Sequence, residues 1–235
     1  NLRKDLPRRQ FKPQSFEETL EFIGHIGLIL CAIVSFIIGY PALTISFKRF
    51  IIPIYIFMIM QQLTTFCTAF WIDPGYVEIE KTDDKAENIC VYCETIKPER
   101  AHHCKYCNRC VYIYDHHCRF LLNCVGKNNF KYLFKYLFYN IIKGALDLII
   151  SIYGFVTQKS GIHFFGDTLK NGKFQALLFI FPIGMSVFGY IFSIFVFVGL
   201  AQAAYTGQTM VEKKKNLKGG LILEPGWVVW LLQFK

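Results

Sequence analysis

Charged residues are scarce in this chain of 235 residues: Asp, Glu, Lys and Arg make up 18%, whereas 53% of the residues are hydrophobic and 17% are aromatic. This composition excludes an intrinsically disordered protein, and nine cysteines are too few for a small disulfide scaffold. No internal repeat and no low-complexity segment is recognised. A net charge of +9 with a mean hydropathy of +0.32 indicates a membrane protein with basic loops, so no nucleic-acid partner is expected.

Four long apolar stretches are able to cross a bilayer, since a membrane helix needs about 20 mainly apolar residues. They cover, approximately, residues 22–40, 50–72, 133–156 and 174–205. The sequence therefore predicts an all-α membrane protein with four transmembrane helices.

Lysine and arginine are unevenly distributed between these stretches. Five precede the first, nine lie in residues 73–132 and five follow the fourth, whereas the two other loops hold two and three. Because basic loops are retained on the cytoplasmic side, both termini and residues 73–132 are predicted to face the cytosol. The predicted organisation is a cytosolic segment 1–21, helices 1 and 2 in 22–72, a cytosolic domain in 73–132, helices 3 and 4 in 133–205, and a cytosolic segment 206–235.

Seven of the nine cysteines fall between Cys90 and Cys124. In the reducing cytosol they are expected to bind metal or to act in catalysis rather than to form disulfides. The segment contains two C-x2-C pairs, the usual source of two sulfur ligands in a tetrahedral zinc site. Eight donors suffice for two closed Cys3His sites: Cys90, Cys93, His103, Cys104, Cys107, Cys110, His117 and Cys124. Cys118 is left over beside His116 and Asp115, which indicates chemistry.

Two other interpretations of the cluster stay open at this point. A purely structural zinc module explains the paired cysteines without catalysis, and a disulfide framework requires an oxidising compartment. Because the rest of the segment is polar and rich in turns, metal is expected to contribute much of its folding free energy. The preferred prediction is a cytosolic Cys-rich domain that binds two zinc ions between the second and third helices.

Around these residues the sequence resembles the DHHC-type protein S-acyltransferases, the integral-membrane palmitoyltransferases. The resemblance covers residues 90–129 and the family's layout of four membrane helices with this segment between the second and third. The matching motifs are Asp73-Pro74-Gly75, Lys97-Pro98-x-Arg100-x2-His103-Cys104, Asp115-His116-His117-Cys118, Asn123-Cys124-Val125-Gly126-x2-Asn129 and, less closely, Thr209-Met210-Val211-Glu212.

The resemblance implies a role for each ligand and for the residues left over. One zinc ion takes the positions of Cys90, Cys93, His103 and Cys110, and the other takes those of Cys104, Cys107, His117 and Cys124. Cys118 corresponds to the nucleophile that becomes acylated, His116 to its base, and Asp115 to the acid that orients the His116 ring. A neighbouring imidazole held by a carboxylate also raises the thiolate fraction of a cysteine near neutral pH.

The reaction implied by the resemblance has two steps. Cys118 takes a long-chain acyl group from acyl-CoA, such as palmitoyl-CoA, and the acyl group then passes to a cytosolic cysteine of a membrane-associated protein. Lys97, Arg100 and His102 are predicted contacts of the CoA phosphates, with solvated surface residues as the alternative. Phe120 is expected to pack near the thioester or, alternatively, to be an interfacial aromatic.

The expected partners follow from this reaction. They are acyl-CoA, membrane-associated substrate proteins with cytosolic cysteines, the lipid bilayer and an accessory subunit. The expected location is a multi-pass position in the endomembrane system, in the Golgi, the endoplasmic reticulum or the plasma membrane, with both termini in the cytosol.

Several positions depart from the family's usual pattern. Arg119 and Phe120 replace Pro-Trp after the Asp-His-His-Cys motif, and Leu122 stands where Asn is common. Met210 replaces a threonine whose hydroxyl helps to brace the catalytic segment in the family, and Trp230 stands where an Asn is usual. The alternative function is therefore a weakly active or inactive family member that acts as a zinc-binding membrane adaptor or complex subunit. A small transporter or channel is the third hypothesis.

Two groups of charged residues lie in or beside the membrane helices. Lys143 and Asp147 are four residues apart and share a helix face; they are interpreted either as an intrahelical ion pair or as part of the lining of an acyl cavity. Glu17, Glu18 and Glu21 precede the first apolar stretch and are expected to form a solvated helix face.

Overall fold

The computed structural model describes residues 15–40, 43–78, 88–156 and 172–223. Among these residues are four long helices, one short helix and six short strands. The helices are α1 (Phe16–Gly39), α2 (Ile45–Trp71), α3 (Phe130–Val156), α4 (Gly172–Thr206) and α5 (Met210–Lys214). The four long helices are long and apolar enough to cross a membrane, which confirms the predicted membrane fold.

The helices extend beyond the apolar stretches that predicted them. The first stretch was placed at residues 22–40, but α1 begins at Phe16, because the Ser15 hydroxyl accepts a hydrogen bond from the Glu18 N–H at 3.2 Å and caps the first turn. Likewise, α2 begins at Ile45 rather than near residue 50. Polar side chains at a helix end lower the hydropathy without interrupting the backbone hydrogen bonds, so hydropathy locates the apolar part of a helix and misses its ends.

Of the three acidic residues expected to form a solvated face at the start of α1, Glu17 and Glu21 are exposed, with 75% and 50% of their side-chain surface accessible, so the expectation was wrong for Glu18 alone. Glu18 is only 2% exposed, and its carboxylate lies 3.0 Å from the His117 ring. Glu17 and Glu21 both face the guanidinium of Arg119. The sequence pattern did not reveal these partners because they lie about a hundred residues away along the chain.

The Cys-rich segment folds into three antiparallel hairpins, which the sequence analysis did not predict. The strands are β1 (Ile89–Cys90), β2 (Thr95–Ile96), β3 (Ala101–Cys104), β4 (Arg109–Tyr112), β5 (His116–Cys118) and β6 (Asn123–Val125), paired β1 with β2, β3 with β4 and β5 with β6. Each hairpin turn contains one left-handed residue: Glu94, Asn108 and Leu122 have φ of 52°, 50° and 46°. These three residues are spaced fourteen apart, so the segment is an internal repeat, and the prediction of none was wrong.

The chain divides into two compact units. One unit, here the metal unit, consists of Asn1–Phe22, Thr65–Lys135 and Val198–Lys235, and the other, the helical unit, consists of Ile23–Thr64 and Tyr136–Phe197. All the strands belong to the metal unit, and the part of its core that lies among the hairpins is built around the cysteines. Each of its two buried clusters contains cysteines of the hairpins packed with valine and tyrosine side chains. Larger apolar side chains of this unit are buried outside these two clusters, among them Leu121, Phe130 and Leu133.

A tight turn connects α2 to the hairpins within the metal unit. Asp73 Oδ1 accepts hydrogen bonds from the N–H groups of Gly75 and Tyr76, both at 2.8 Å, and Gly75 has a φ of 103°, which favours glycine. Tyr76 then pairs with Val111 of β4. The Asp-Pro-Gly motif therefore folds the chain back onto the second hairpin as soon as α2 ends.

An amide side chain of the third hairpin bonds to the end of α2. Asn123 Nδ2 donates to the carbonyl oxygens of Ala69, Phe70 and Ile72 at 3.2, 3.3 and 3.1 Å. The last carbonyls of a helix have no partner within the helix and need one elsewhere. Asn123 supplies that partner and fixes β6 against the end of α2.

In the helical unit, polar side chains of α3 bond to the other helices. Tyr136 shares a hydrogen bond of 2.7 Å with His25 of α1, and Asn140 donates to Ser193 of α4 at 2.6 Å. Lys143 and Asp147 form the predicted intrahelical ion pair at 2.6 Å and are both buried. They also line a cavity of about 50 Å³, and the acyl-cavity interpretation of the pair stays a prediction.

Candidate metal sites and catalytic strand

The first group of metal ligands joins the first two hairpins. The ligand atoms of Cys90, Cys93, His103 and Cys110 all lie within 4.8 Å of one another. His103 Nδ1 faces the sulfurs and lies 3.6 Å from Cys90 Sγ and 3.2 Å from Cys93 Sγ. The ring of Tyr92 stacks on the His103 imidazole with centroids 4.7 Å apart. This contact restrains the orientation of the imidazole.

The second group joins the last two hairpins in the same way. The ligand atoms of Cys104, Cys107, His117 and Cys124 also lie within 4.8 Å of one another, with His117 Nδ1 at 3.7, 3.4 and 3.6 Å from the three sulfurs. His117 pairs directly with Cys124 in the β5–β6 register, so both side chains lie on one face of the hairpin. The Tyr106 ring lies over the His117 ring with centroids 4.9 Å apart.

Both groups fit zinc. Thiolate sulfur and imidazole nitrogen are the ligands of structural zinc sites, with bonds of about 2.3 and 2.0 Å, so the ligand atoms of a tetrahedral site lie about 3.5–4 Å apart. The distances between ligand atoms, from 3.2 to 3.7 Å, lie in this range or slightly below it, and the two ligand sets are those that the resemblance implied. The Cys-rich segment between the second and third helices therefore carries two zinc-binding groups.

Cys118 belongs to neither ligand group. It follows His117 directly in β5, and successive residues of a strand point to opposite faces, so Cys118 and His116 lie on the face turned away from the second metal group. Cys118 is 2% exposed, and this burial raises the pKa of its thiol to about 12, although the backbone N–H groups of Leu121 and Phe120 act in the opposite direction. A thiol with so high a pKa needs a base to become a nucleophile near neutral pH.

The Asp115 carboxylate orients the His116 ring. Asp115 is completely buried, and its Oδ2 lies 2.7 Å from His116 Nδ1. Its other oxygen, Oδ1, accepts a hydrogen bond from the backbone N–H of Met210 at 2.8 Å. Because both oxygens are engaged, the His116 ring is held with Nδ1 toward Asp115 and Nε2 directed away, the arrangement that a base beside a nucleophile requires.

The hydrogen bond from the Met210 N–H to Asp115 explains how this chain tolerates methionine at a position where the family usually has threonine. The threonine hydroxyl usual at this position is missing, but the contact to Asp115 comes from the main chain and does not depend on the side chain. Thr209, just before it, caps α5: Thr209 Oγ1 accepts from the Glu212 N–H at 3.2 Å and Glu212 Oε2 accepts from the Thr209 N–H at 2.8 Å. This reciprocal cap fixes the backbone that carries the Met210 N–H.

Arg100 and Glu212 form a buried ion pair in the same region. Arg100 Nε lies 2.7 Å from Glu212 Oε1, and Nη2 lies 3.0 Å from Oε2. The guanidinium also donates to the carbonyl oxygens of Gly207 at 2.9 Å and Leu221 at 3.2 Å. These contacts occupy the guanidinium of Arg100, a residue that was predicted to contact the CoA phosphates.

The other two predicted phosphate contacts, Lys97 and His102, line an open cleft of about 1000 Å³ in the metal unit. The cleft is also lined by Lys105, Lys214 and Lys215, so it is strongly basic. His102 is 6% exposed, and neither ring nitrogen has a hydrogen-bond partner among the described residues. Burial, together with the charges of Lys97 and Lys215, lowers the pKa of His102 to about 4, so the ring is neutral at physiological pH.

Comparison with known proteins gives the family. The family model described as DHHC palmitoyltransferase matches residues 83–217, which is more than half of the chain. The chain belongs to this family. A relative described as probable protein S-acyltransferase 12, from Arabidopsis thaliana, is 31% identical over 170 residues, covering 63% of this chain and 55% of that relative. The match therefore spans about half the length of the relative, and the family membership rests on the match to the DHHC domain itself.

Leu122, Phe120 and Trp230 are further departures from the family pattern. Leu122 has a φ of 46° and a ψ of 37°, a left-handed conformation that Asn adopts more readily than a branched side chain, which accounts for the usual Asn. Phe120 is half-buried in the short 3₁₀ turn Arg119–Leu121, and its place beside the thioester stays a prediction. Trp230 lies outside the described residues.

Proposed function

We propose that this protein is a protein S-acyltransferase that uses Cys118 as its nucleophile. The observation that carries the proposal is the arrangement of β5: a cysteine free of both metal groups shares a strand face with His116, and His116 is held by the buried Asp115 at 2.7 Å. A structural zinc module has no need of a fully braced Asp–His pair beside a spare thiol. The arrangement therefore supports catalysis rather than scaffolding.

The proposed reaction consists of two thioester exchanges. His116 takes the proton of the Cys118 thiol, and the sulfur attacks the carbonyl carbon of a long-chain acyl-CoA such as palmitoyl-CoA. The bond from that carbon to the CoA sulfur breaks, and CoA leaves as a thiol after taking the proton. In the second step a cysteine thiol of a substrate protein attacks the Cys118 thioester, and the enzyme thiol is regenerated. Because bonds of the same kind form and break, the catalytic gain comes from placement of the reactants.

The basic cleft is the proposed binding site for the phosphates of CoA. Its volume is at the upper end of the range of about 300–1,000 Å³ that is usual for ligand pockets, and Lys97, Lys214 and Lys215 bring positive charge to it. The neutral His102 ring also lines the cleft, and neither of its two buried nitrogens has a hydrogen-bond partner within the part of the chain that the structure describes. Arg100 is bound to Glu212, so in this proposal it supports the backbone near the cleft and leaves phosphate binding to the lysines.

The proposed setting is the cytosolic surface of an endomembrane. The excess of Lys and Arg in residues 73–132 and at both ends of the chain supports a cytosolic metal unit, where CoA esters and reduced cysteines occur. The proposed substrates are membrane-associated proteins with cytosolic cysteines, because their thiols are held at the same depth as the enzyme. An accessory subunit remains part of this proposal.

Formation of the acyl-enzyme tests the nucleophile directly. The full chain, purified in detergent, is incubated with alkyne-labelled palmitoyl-CoA and examined for an adduct that hydroxylamine removes. We expect an adduct in the wild type and in Cys67→Ser, which removes an exposed cysteine of α2, but none in Cys118→Ser. His116→Ala is expected to slow adduct formation by about 100-fold or more, the usual effect of losing a general base. A zinc-loaded wild type without any adduct would overturn the proposal and favour the adaptor function.

The role of the cleft is tested by the dependence of the same reaction on acyl-CoA concentration. Combined substitution of Lys97→Ala and Lys215→Ala is expected to raise the KM for palmitoyl-CoA by about tenfold or more, since each charge-assisted hydrogen bond contributes about 1.5–3 kcal/mol. Lys218→Ala, which removes an exposed lysine outside the cleft lining, is the matched control. An unchanged KM in the double variant would place the CoA phosphates elsewhere.

A further inference from the structure

The residues on either side of Cys118 are both held by the first turns of α1. Glu17, Glu18 and Glu21 form an acidic turn at the start of this helix. Glu18 contacts His117, and Glu21 contacts Arg119. The nucleophile thus lies between two residues that one helix end fixes, within the metal unit.

The contact of Glu18 concerns the second metal group. His117 Nδ1 faces the three sulfurs, so the ligand nitrogen is Nδ1 and the other nitrogen, Nε2, carries the proton. Nε2 donates to Glu18 Oε1 at 3.0 Å, and both side chains are almost fully buried, with 4% and 2% of their surface exposed. A carboxylate on the far nitrogen of a metal-bound histidine fixes the tautomer and orientation of the ring and strengthens the metal bond. The same residue also takes part in the capped first turn of α1 through its N–H.

The contact of Glu21 concerns the residue after the nucleophile. Arg119 Nη1 lies 2.7 Å from Glu21 Oε1 and 3.4 Å from Glu17 Oε2. Its guanidinium also lies over the ring of Tyr106, 5.8 Å from the centroid, and donates to the Tyr106 hydroxyl at 3.5 Å. Tyr106 in turn covers the His117 ring, so the arginine connects α1 to the second metal group.

This network explains why an arginine can stand at a position where the family usually has proline. The proline ring fixes φ of that residue and so restricts the backbone directly after the nucleophile. An arginine leaves φ free, and the backbone is then restricted through the side chain instead. The three acidic residues at the start of α1 provide the opposite charge at the place where that side chain reaches them.

From these contacts we infer that the acidic turn of α1 is a positioning element for the catalytic strand. Glu18 holds the metal ligand before Cys118, and the Glu21–Arg119 pair holds the residue after it. The catalytic importance of Cys118 rests on the proposed function. The rate of zinc release and the exposure of the Cys118 thiol can be measured whether or not the protein is an acyltransferase. The test therefore uses these two properties and stays informative if the acyltransferase assay fails.

The first experiment measures how fast zinc leaves the purified full chain after addition of a chromogenic chelator. Glu18→Gln keeps the size of the side chain and removes its charge, and we expect at least tenfold faster release of one of the two zinc ions, within the range of about 10–100-fold known for such outer contacts. Glu17→Gln removes the same charge from the same turn at a residue that contacts Arg119 rather than a metal ligand, and we expect its release rate to stay much nearer to that of the wild type than the rate of Glu18→Gln. Equal rates in Glu18→Gln and Glu17→Gln would overturn the inference for Glu18.

The second experiment measures how fast iodoacetamide labels Cys118, read by mass spectrometry of the peptide that contains it. Arg119→Glu places a negative charge against the acidic turn, and we expect labelling to become severalfold faster as the strand loses its attachment. Adding Glu21→Arg restores an ion pair with reversed polarity, and we expect the rate to return most of the way to that of the wild type. A double variant that is labelled as fast as Arg119→Glu alone would overturn the inference for the Glu21–Arg119 pair.

Discussion

The two metal groups of this protein have the same ligand spacing and different surroundings. Each ligand of the second group follows its counterpart in the first by fourteen residues: Cys104 follows Cys90, Cys107 follows Cys93, His117 follows His103 and Cys124 follows Cys110. In both groups a tyrosine from the C-x2-C turn covers the histidine ring. Equal spacing has therefore produced equal local folds, twice in succession.

The difference lies in what each histidine is attached to. His117 bonds Glu18 through its outer nitrogen and lies next to Cys118 in the strand. Among the described residues no carboxylate bonds His103, which is covered by Tyr92 with 69% of that tyrosine exposed. The first group thus stabilises its hairpins, and the second stabilises a hairpin that also carries the candidate catalytic residues. Ligand spacing alone does not distinguish these roles.

Removal of one matched ligand from each group gives the largest expected effect. Cys93→Ala and Cys107→Ala remove the ligand at the same position of the repeat, one from each group. Each variant is expected to reduce the zinc content from two ions per chain to one. The effect on stability is expected to be large, because a structural zinc ion contributes about 10–16 kcal/mol of apparent binding free energy. Cys107→Ala is expected to abolish the Cys118 adduct, and Cys93→Ala to leave a measurable part of it. Metal analysis and adduct formation check both variants.

The opposite result would remove the functional distinction. If Cys93→Ala keeps one zinc ion per chain and still loses the adduct as completely as Cys107→Ala, the two groups act as a single unit. Cys31→Ser, which changes a cysteine of α1 outside both groups, is the control for effects of substitution in general.

The hydrogen bond from the Met210 N–H of α5 reaches Asp115, the residue before β5, so weakening α5 tests whether this support is local. Glu212→Gln removes the charge partner of Arg100 from a buried pair, and breaking such a pair costs about 3 kcal/mol or more. We expect a lower melting temperature and slower adduct formation, with two zinc ions per chain retained. Glu94→Gln, at an exposed turn of the first group, serves as control. Loss of zinc from Glu212→Gln would contradict a brace confined to the catalytic side.

The pH dependence of stability provides a second test of the Arg100–Glu212 pair. Burial opposes ionisation of Glu212, but the hydrogen bonds from Arg100 and from the Thr209 N–H outweigh it and lower the pKa of this carboxyl. A lowered pKa stabilises the folded protein above the ordinary carboxyl value of about 4.3, and this stability is lost as the pH falls through the lowered pKa. The difference in melting temperature between wild type and Glu212→Gln is therefore expected to narrow as the pH falls below about 5.

A smaller effect is expected from a glycine that has no counterpart in the first half of the repeat. A Cβ on Gly126 would lie 2.5 Å from Val111 Cγ1 and 2.6 Å from the Pro74 carbonyl oxygen, whereas the residue fourteen positions earlier is Tyr112. Gly126→Ala is expected to destabilise the metal unit by about 1–3 kcal/mol, the cost of overpacking. Gly199→Ala in α4, where a Cβ meets nothing within 4 Å, is the control. Equal melting temperatures for the two variants would show that the close approach is not needed.

The smallest effect is expected from the tyrosines over the two histidine rings. Tyr92→Leu and Tyr106→Leu each remove one ring contact of about 0.5–1.5 kcal/mol. Tyr106 also contacts Arg119, so Tyr106→Leu is expected to speed zinc release more than Tyr92→Leu does. Release rates measured side by side decide this, and a larger effect for Tyr92→Leu would reverse the proposed ranking of the two sites.

The sequence predicted the parts of this fold that depend on composition and on residue type. Hydropathy located four helices because lipid-facing surfaces need apolar side chains, and the residue types of the Cys-rich segment identified eight ligands. The Lys143–Asp147 pair was predicted from helix geometry alone and is confirmed. The hairpins were not predicted, because strands of two to four residues show no alternation long enough to detect.

Contacts between distant segments were beyond the reach of the sequence. Glu18 looks like any surface residue before a membrane helix, and only the folded chain brings it to His117. Arg100 was read as a phosphate contact because a free arginine attracts phosphate, and its pairing with Glu212 depends on a segment more than a hundred residues away. The fourteen-residue spacing, by contrast, was visible in the sequence, and aligning the ligands with one another would have revealed it.

The pairing of β5 with β6 determines which side chain of β5 faces the metal group, because successive residues of β5 point to opposite faces. His117 faces the metal and Cys118 faces away only while His117 remains opposite Cys124 and Cys118 remains opposite Asn123. A slip by one residue would turn Cys118 toward the metal, and zinc would bind its thiolate as firmly as that of any other cysteine. The three hydrogen bonds from Asn123 to the end of α2 oppose this slip. Asn123 thereby protects the free thiol from capture by the protein's own metal ion.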